Sequence, residues 1–249
     1  MSELQHPDSR PFELVANLYE RARPEYAQEA VEWIAQELGL RAGRSVLDVG
    51  AGTGKLTRAL VQTGVRVIAV EPGEAMLAQL RRAVPGAEAL LGAAENIPLA
   101  DDSVDAVTAG QAFHWFRHDE ALPELHRVLR SGGGVALLWN WRDQEQPLQQ
   151  EVNELVAPFV PPGRPHGGAW VRPLEASPLF GPIERQTFDF EQRLDADALA
   201  ERIGSISFVA AAPIAERERL EARLRRLVER EGGAVDFRYV TAVYVSRAE

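Results

Sequence analysis

The stretch from Ser45 to Leu60 reads SVLDVGAGTGKLTRAL: an apolar β-branched run, three alternating glycines, then a helix-like segment. No other feature constrains the fold as strongly. A run this apolar suits a strand buried on both faces, as in a parallel sheet. The glycines after it let the backbone approach whatever lies beyond the strand end.

Runs of the same kind recur at RVIAV (66–70), EALL (88–91), VDAVTA (104–109) and GVALLW (134–139). Helix-like stretches separate them. KLTRALVQTG closes on Gly64, and GEAMLAQLRRAVPG ends at Pro85-Gly86. DEALPELHRVLRSGGG carries Leu122, Leu125, Val128 and Leu129 on one face ahead of a glycine stop. Alternation of this kind implies right-handed crossovers within one open sheet. From Arg142 the rhythm changes. Residues 157–182 are rich in proline and glycine and read as an irregular, lid-like segment. A strand is expected at 184–194, helices near 195–204 and 213–231, and an alternating strand at 237–247 that returns to the sheet edge. In the charged run ERERLEARLRRLVEREG (216–232), Leu220, Leu224, Leu227 and Val228 form the buried stripe and the charges a solvated face. The expected class is α/β. It is a Rossmann-like open twisted sheet, mostly parallel with an antiparallel C-terminal edge strand, and helices on both faces. One domain spans 1–249, with an N-terminal segment (1–40), a core (41–142) and a lid with the closing strands (143–249).

Composition excludes several classes. The 249 residues are enough for one large domain with a sizeable core. Cysteine is absent, so disulfides and thiolate metal sites are excluded. The net charge of −10 argues against a nucleic-acid partner, which demands clustered Lys and Arg. The opening MSELQHPDSR is polar and unlike a secretory signal, and no apolar run suits a membrane span. A cytoplasmic location is expected.

The glycine loop has several candidate ligands. A triphosphate loop, G-x-x-x-x-G-K-[ST], needs glycine at position 49 and Ser or Thr at 56, where the chain has Val49 and Leu56. The dinucleotide fingerprint needs its third glycine at 55, which is Lys55, a residue expected to crowd the helix against the strand. Gly50, Gly52 and Gly54 instead alternate, with Asp48 two residues before the first. Glu71 ends the next strand, 21 residues after Gly50, where a carboxylate accepts ribose hydroxyls. The other reading of Glu71 is a cap on the helix that starts near Gly73.

VLDVGAGTGKLTRAL resembles the first motif of the class I S-adenosylmethionine-dependent methyltransferases. The likeness continues in order through VIAVEP, GAAENIPLADDSVDAV and ELHRVLRSGGGVALLWN, over roughly residues 45–140. LYERARPEY (18–26) and QAFHWF (111–116) resemble a small-molecule subgroup that includes trans-aconitate methyltransferase-like proteins. The resemblance implies that Gly50, Gly52 and Gly54 pass beneath the methionine part of S-adenosylmethionine, with Asp48 orienting its amino group. It implies Glu71 on the ribose, Pro72 and Met76 flanking the adenine, and Ala94 and Glu95 at the adenine edge. Gln111 would contact the methionine moiety, and Tyr19 and Arg23 lie in the segment that closes over the cofactor. Plainer readings stand beside these: Met76 as core, Glu95 as a turn residue, Tyr19 and Arg23 as packing at a helix start. S-adenosylhomocysteine would be the product.

Methyl transfer from a sulfonium needs alignment above all, and a base only where the acceptor carries a proton of high pKa. QAFHWF follows the fourth strand, so His114 is the candidate base, and Trp115 and Phe116 an apolar wall. The competing reading makes His114 a hydrogen-bonded residue that shapes the loop. Trp141, Arg142, His166 and Trp170 are further acceptor-side candidates, an Arg among them suiting a carboxylate. The spacing of His114, His118 and His166 matches no metal pattern, and no metal is expected. The expected activity is methyl transfer to a small-molecule acceptor, with neither nucleic acid nor membrane as partner. Two alternatives are a cofactor-binding regulatory module without turnover and a nicotinamide-dependent dehydrogenase.

Overall fold

The computed structural model describes residues 23–162 and 170–249. Its first half alternates helix and strand except between β3 and β4: α1 (Gln28–Glu37), β1 (Ser45–Val49), α2 (Lys55–Val61), β2 (Arg66–Glu71), α3 (Glu74–Ala83), β3 (Glu88–Leu91), β4 (Val104–Gly110), α4 (His118–Val128) and β5 (Leu129–Arg142). Then come α5 (Pro147–Val156), α6 (Arg172–Glu175), β6 (Glu184–Asp195), α7 (Ala196–Gly204), α8 (Ser207–Ala210), α9 (Ile214–Arg230) and β7 (Ala234–Arg247).

The strands form one seven-stranded sheet in the order β3-β2-β1-β4-β5-β7-β6, mostly parallel with an antiparallel edge and helices around it. β1 pairs in parallel with β2 (Asp48 opposite Ala69) and with β4 (Asp48 opposite Thr108). β2–β3 and β4–β5 are also parallel. Strand order thus reverses at β1 and β4. In open sheets that reversal opens a crevice at the strands' carboxyl ends, where ligands bind. The outermost strand on the far side is β6, with the C-terminal β7 one place in from it.

Local chemistry accounts for the elements. All five residues of β1 are buried, as expected for a central strand. α4 buries Ala121, Leu122, Leu125 and Val128 and has Asp119 and Glu120 in its first turn, facing the positive end of its dipole. α9 buries Leu220, Leu224, Leu227 and Val228, the stripe read from the sequence.

Two expectations need correction. EALL is a strand but is not buried on both faces: β3 is the sheet's edge, and Leu91 is 51% exposed. Gly132 to Gly134 do not stop α4. The helix ends at Val128, β5 begins at Leu129, and the glycines lie inside the strand. A Cβ on Gly134 would sit 2.6 Å from the Ser246 carbonyl oxygen, and one on Gly133 2.9 Å from that of Asp105. These glycines serve close backbone approach.

The chain divides into two compact units. Among the described residues, one comprises Glu25–Asn140, 170–188 and Thr241–Glu249; the other comprises 23–24, 141–162 and Asp189–Val240. The second has its own core, in which Val152, Leu199, Ile203, Leu224, Val228 and Phe237 are buried together.

Candidate active site

In the first unit the loop after β1 is built by three left-handed glycines, with φ of 65° at Gly50, 59° at Gly52 and 94° at Gly54. The N–H groups of Gly50 and Ala51 both donate to the Val70 carbonyl, which ties the loop to β2. Each glycine has a separate reason. A Cβ on Gly50 would lie 2.7 Å from the Ala112 Cβ, so the loops after β1 and β4 meet there. A Cβ on Gly54 would come within 3.0 Å of Leu80 and Val84, so this glycine lets α2 seat on α3. Gly52 faces open space. Thr53, in the same turn, has a buried hydroxyl with no hydrogen-bond partner.

Glu71 supports this turn directly. One carboxylate oxygen accepts from the Gly52 N–H at 2.8 Å, and the other accepts from the Gly73 N–H at 2.9 Å. Gly73 is the N-cap of α3, so the capping interaction is present. The same carboxylate holds the glycine loop to it. A carboxylate oxygen has two lone pairs and can accept more than one hydrogen bond. Asp48 lies beneath the loop and is fully buried. It accepts from the hydroxyls of Thr57 at 2.7 Å and Thr108 at 3.2 Å. Burial pushes its pKa up to about 7 against those two bonds, which pull it down.

Lys55 does not crowd the helix. Its ammonium reaches back to Glu25 at 2.9 Å and is largely buried. The close-packing role belongs to Gly54, one residue earlier than the dinucleotide fingerprint requires. Gln111, the residue after β4, has φ 57°, a left-handed conformation uncommon for a non-glycine residue and frequent at functional sites. Its amide donates to the Asn140 carbonyl at 3.1 Å. The Asn140 side chain donates to the Glu25 carbonyl at 2.9 Å and accepts from Thr241 at 2.7 Å.

The remaining cofactor-side candidates divide. Met76 and Ala94 are buried, and Pro72 is exposed beside Glu71. Glu95 accepts from the Arg117 N–H at 2.7 Å and so caps α4, whose N-cap is Arg117. On the acceptor side, His114 stacks on Trp170 at 4.7 Å and lies 4.9 Å from Trp115. Its Nδ1 faces the Trp139 indole N–H at 3.4 Å. An indole only donates, so Nδ1 is the acceptor there and the neutral ring carries its proton on Nε2. Phe116 is buried against the Gly50 backbone and packs edge-on to Phe113 at 5.7 Å. It is a wall of the loop, not an exposed face.

In the second unit Arg23 donates to the Ser205 carbonyl at 2.8 Å. Trp141 and Arg142 end β5. Arg142 is held beside Arg202 and Tyr239. Tyr19 and His166 lie outside the described residues. Sequence reasoning missed Glu25, Thr53, Thr57, Thr108, Arg202 and Tyr239. A signal existed only for Glu25, since a lysine set into a buried turn demands a counter-charge.

A glycine turn at the switch point of a parallel sheet, with an acidic residue at the end of the next strand, is the arrangement of the Rossmann-like class of nucleotide-binding folds. A family model described as a methyltransferase domain matches residues 47–137. An uncharacterised methyltransferase of Mycobacterium tuberculosis is 41% identical over 221 residues, spanning 88% of this chain and 86% of the relative. One from Schizosaccharomyces pombe is 32% identical over 239 residues, spanning 92% and 93%. A solved structure from Anaeromyxobacter dehalogenans, described as a type II methyltransferase, aligns with TM-score 0.70 and 28% identity over 91% of this chain and 97% of its own. The chain belongs to the S-adenosylmethionine-dependent methyltransferase family.

Proposed function

We propose that the protein transfers the methyl group of S-adenosylmethionine to a small-molecule acceptor in the cytoplasm, with Gly50, Gly52, Gly54, Glu71 and Gln111 as the heart of the cofactor site. The observation that carries this reading is the Gly52–Glu71–Gly73 linkage, which joins the open glycine turn to the carboxylate at the end of β2. The residues fit the cofactor. Gly52 has open space where a side chain would stand, and Thr53 has an unpartnered hydroxyl. When bound, the cofactor supplies a methyl on a positively charged sulfur, and the C–S bond electrons return to sulfur as the acceptor atom bonds the methyl carbon.

The chain's own work is binding and alignment. Glu71 accepts the ribose hydroxyls while holding both backbone N–H groups. Met76 and Ala94 give the adenine an apolar seat, with Pro72 at its rim. Glu95 shapes the adjoining turn through its bond to Arg117. Asp48 acts through the loop, held by Thr57 and Thr108. Gln111 offers its strained backbone and amide beside the glycine turn. His114, with Nδ1 turned to Trp139, aligns the acceptor and is not its base. Within the first unit, Trp115 and Trp170 beside His114 give the acceptor side its apolar rings, with Phe116 behind them. The likeness of LYERARPEY and QAFHWF to trans-aconitate methyltransferase-like proteins supports a small acceptor over a polymer. Among the described residues there is neither a metal-binding cluster nor a helix long and apolar enough to cross a membrane.

Turnover separates this reading from a regulatory module. Incubation with S-adenosylmethionine and a panel of small organic acceptors should release S-adenosylhomocysteine above the acceptor-free rate. Binding without release across hydroxyl, amine and carboxylate acceptors would favour the regulatory module.

A further inference from the structure

Two arginines in the second unit carry charge without a counter-ion. Arg142 is the last residue of β5, and no carboxylate of the described residues pairs with its guanidinium. Its Nη1 is buried with no hydrogen-bond partner. Arg202, on α7, is 4% exposed. Its Nε donates to the Tyr239 hydroxyl at 2.9 Å and its guanidinium lies over that ring at 5.6 Å, but its Nη1 is likewise buried and unpartnered. Burial and then the neighbouring Arg202 charge push the Arg142 pKa down to about 10. Aromatic rings back the cluster, with Phe190 stacked on Tyr239 at 5.1 Å and Phe237 edge-on at 5.4 Å.

This arrangement is unfavourable unless something compensates it. Buried arginines are nearly always paired, since an unpaired buried charge is among the costliest features in a fold. Elsewhere this chain pairs its arginines freely: Arg230 with Glu151, Arg238 with Glu191, Arg193 with Asp236. Surface pairs such as these add little stability. Arg202 is buried and Arg142 half-buried with its Nη1 enclosed; among the described residues neither has a carboxylate partner, and both have forked donors suited to an oxyanion.

We propose that Arg142 and Arg202, backed by Tyr239, form a binding site for a carboxylate, so that the molecule held there is a small organic acid. A carboxylate suits the site better than a phosphate because the surroundings are aromatic and apolar, and a single negative charge is less costly to desolvate than two. The site lies within the second unit and does not depend on the methyltransferase reading.

The test is thermal melting of the full chain with succinate, with succinamide as its uncharged isostere, and with inorganic phosphate. Succinate should raise the melting temperature, as any ligand of the native state does, and succinamide should not. Arg142→Met should melt higher than the wild type in anion-free buffer, because a half-buried charge with an enclosed, unpartnered Nη1 is gone. It should also lose the succinate response. Arg142→Gln, which keeps a polar side chain, should weaken succinate binding by at least about tenfold, the loss of a charge-assisted bond. No succinate response in the wild type, a response that survives Arg142→Met, or a response to phosphate alone would each overturn the assignment. S-adenosylhomocysteine binding measured on the same samples reports on the cofactor site separately. Its failure would strike the methyltransferase reading and leave the anion site standing.

Discussion

Replacing Glu71 by alanine should damage stability and cofactor binding together. The carboxylate is buried, 8% exposed, and accepts two backbone N–H bonds at 2.8 and 2.9 Å. Bonds to an ionised group are worth about 1.5–3 kcal/mol each, so the pair contributes about 3–6 kcal/mol. In a chain of this size each kcal/mol moves the melting temperature by roughly 2–4 °C. Glu71→Ala should therefore melt at least about 6 °C lower, because the Gly52 and Gly73 N–H groups lose their shared acceptor. The glycine turn would no longer be tied to α3. Affinity for S-adenosylhomocysteine should fall by more than about tenfold, the ribose bonds adding to the loss of the turn. Glu71→Gln retains one acceptor oxygen and should fall between the two in melting temperature. Thermal melting gives the first quantity and titration calorimetry the second. Unchanged melting would refute the linkage seen between β2, the glycine turn and α3. Reduced melting with normal S-adenosylhomocysteine affinity would leave Glu71 as a helix cap only.

Three further outcomes follow from the same geometry. Gly54→Ala should destabilise by about 1–3 kcal/mol, since it strains a left-handed residue and drives a methyl into Leu80 and Val84; the denaturant midpoint reads this. Asp48 titrates near 7 when folded and at 3.8 by its ordinary value, so the folded state holds the proton longer. Its contribution is complete below about 3.8 and is lost as pH rises to about 7, and Asp48→Asn should flatten that part of the stability–pH curve. His114→Ala should raise the acceptor KM while the pH–rate profile keeps its shape, whereas loss of an ionisation near 6.5 with a kcat drop of about 10²–10⁴ would make it the base after all.

Much of the cofactor half was legible because its signals are local. SVLDV, RVIAV and VDAVTA became β1, β2 and β4 within a residue, since buried parallel strands must be apolar throughout. The alternation of Gly50, Gly52 and Gly54 marked a turn that demands positive φ, and all three have it. Reasoning failed where the deciding contact was remote. The glycines after α4 read as a helix stop, and what they meet is carbonyls of Asp105 and Ser246 from other strands. Lys55 read as an obstruction because Glu25 lies 30 residues away in sequence. Glu71 was posed as ribose ligand or cap, and the structure has one carboxylate bridging two loops. Arg202 and Tyr239 sit 37 residues apart and neither spacing nor composition joins them. The long strand Ala234–Arg247 was legible from its alternation, but its place beside the edge strand was not.

The central claim is that this glycine turn and its carboxylate hold S-adenosylmethionine, and calorimetric titration with S-adenosylhomocysteine, run against NAD and magnesium-ATP, tests it most directly. The account predicts saturable one-to-one binding of S-adenosylhomocysteine, weakened by Glu71→Ala, with no heat from either competitor. Binding of NAD in the absence of S-adenosylhomocysteine binding would contradict it.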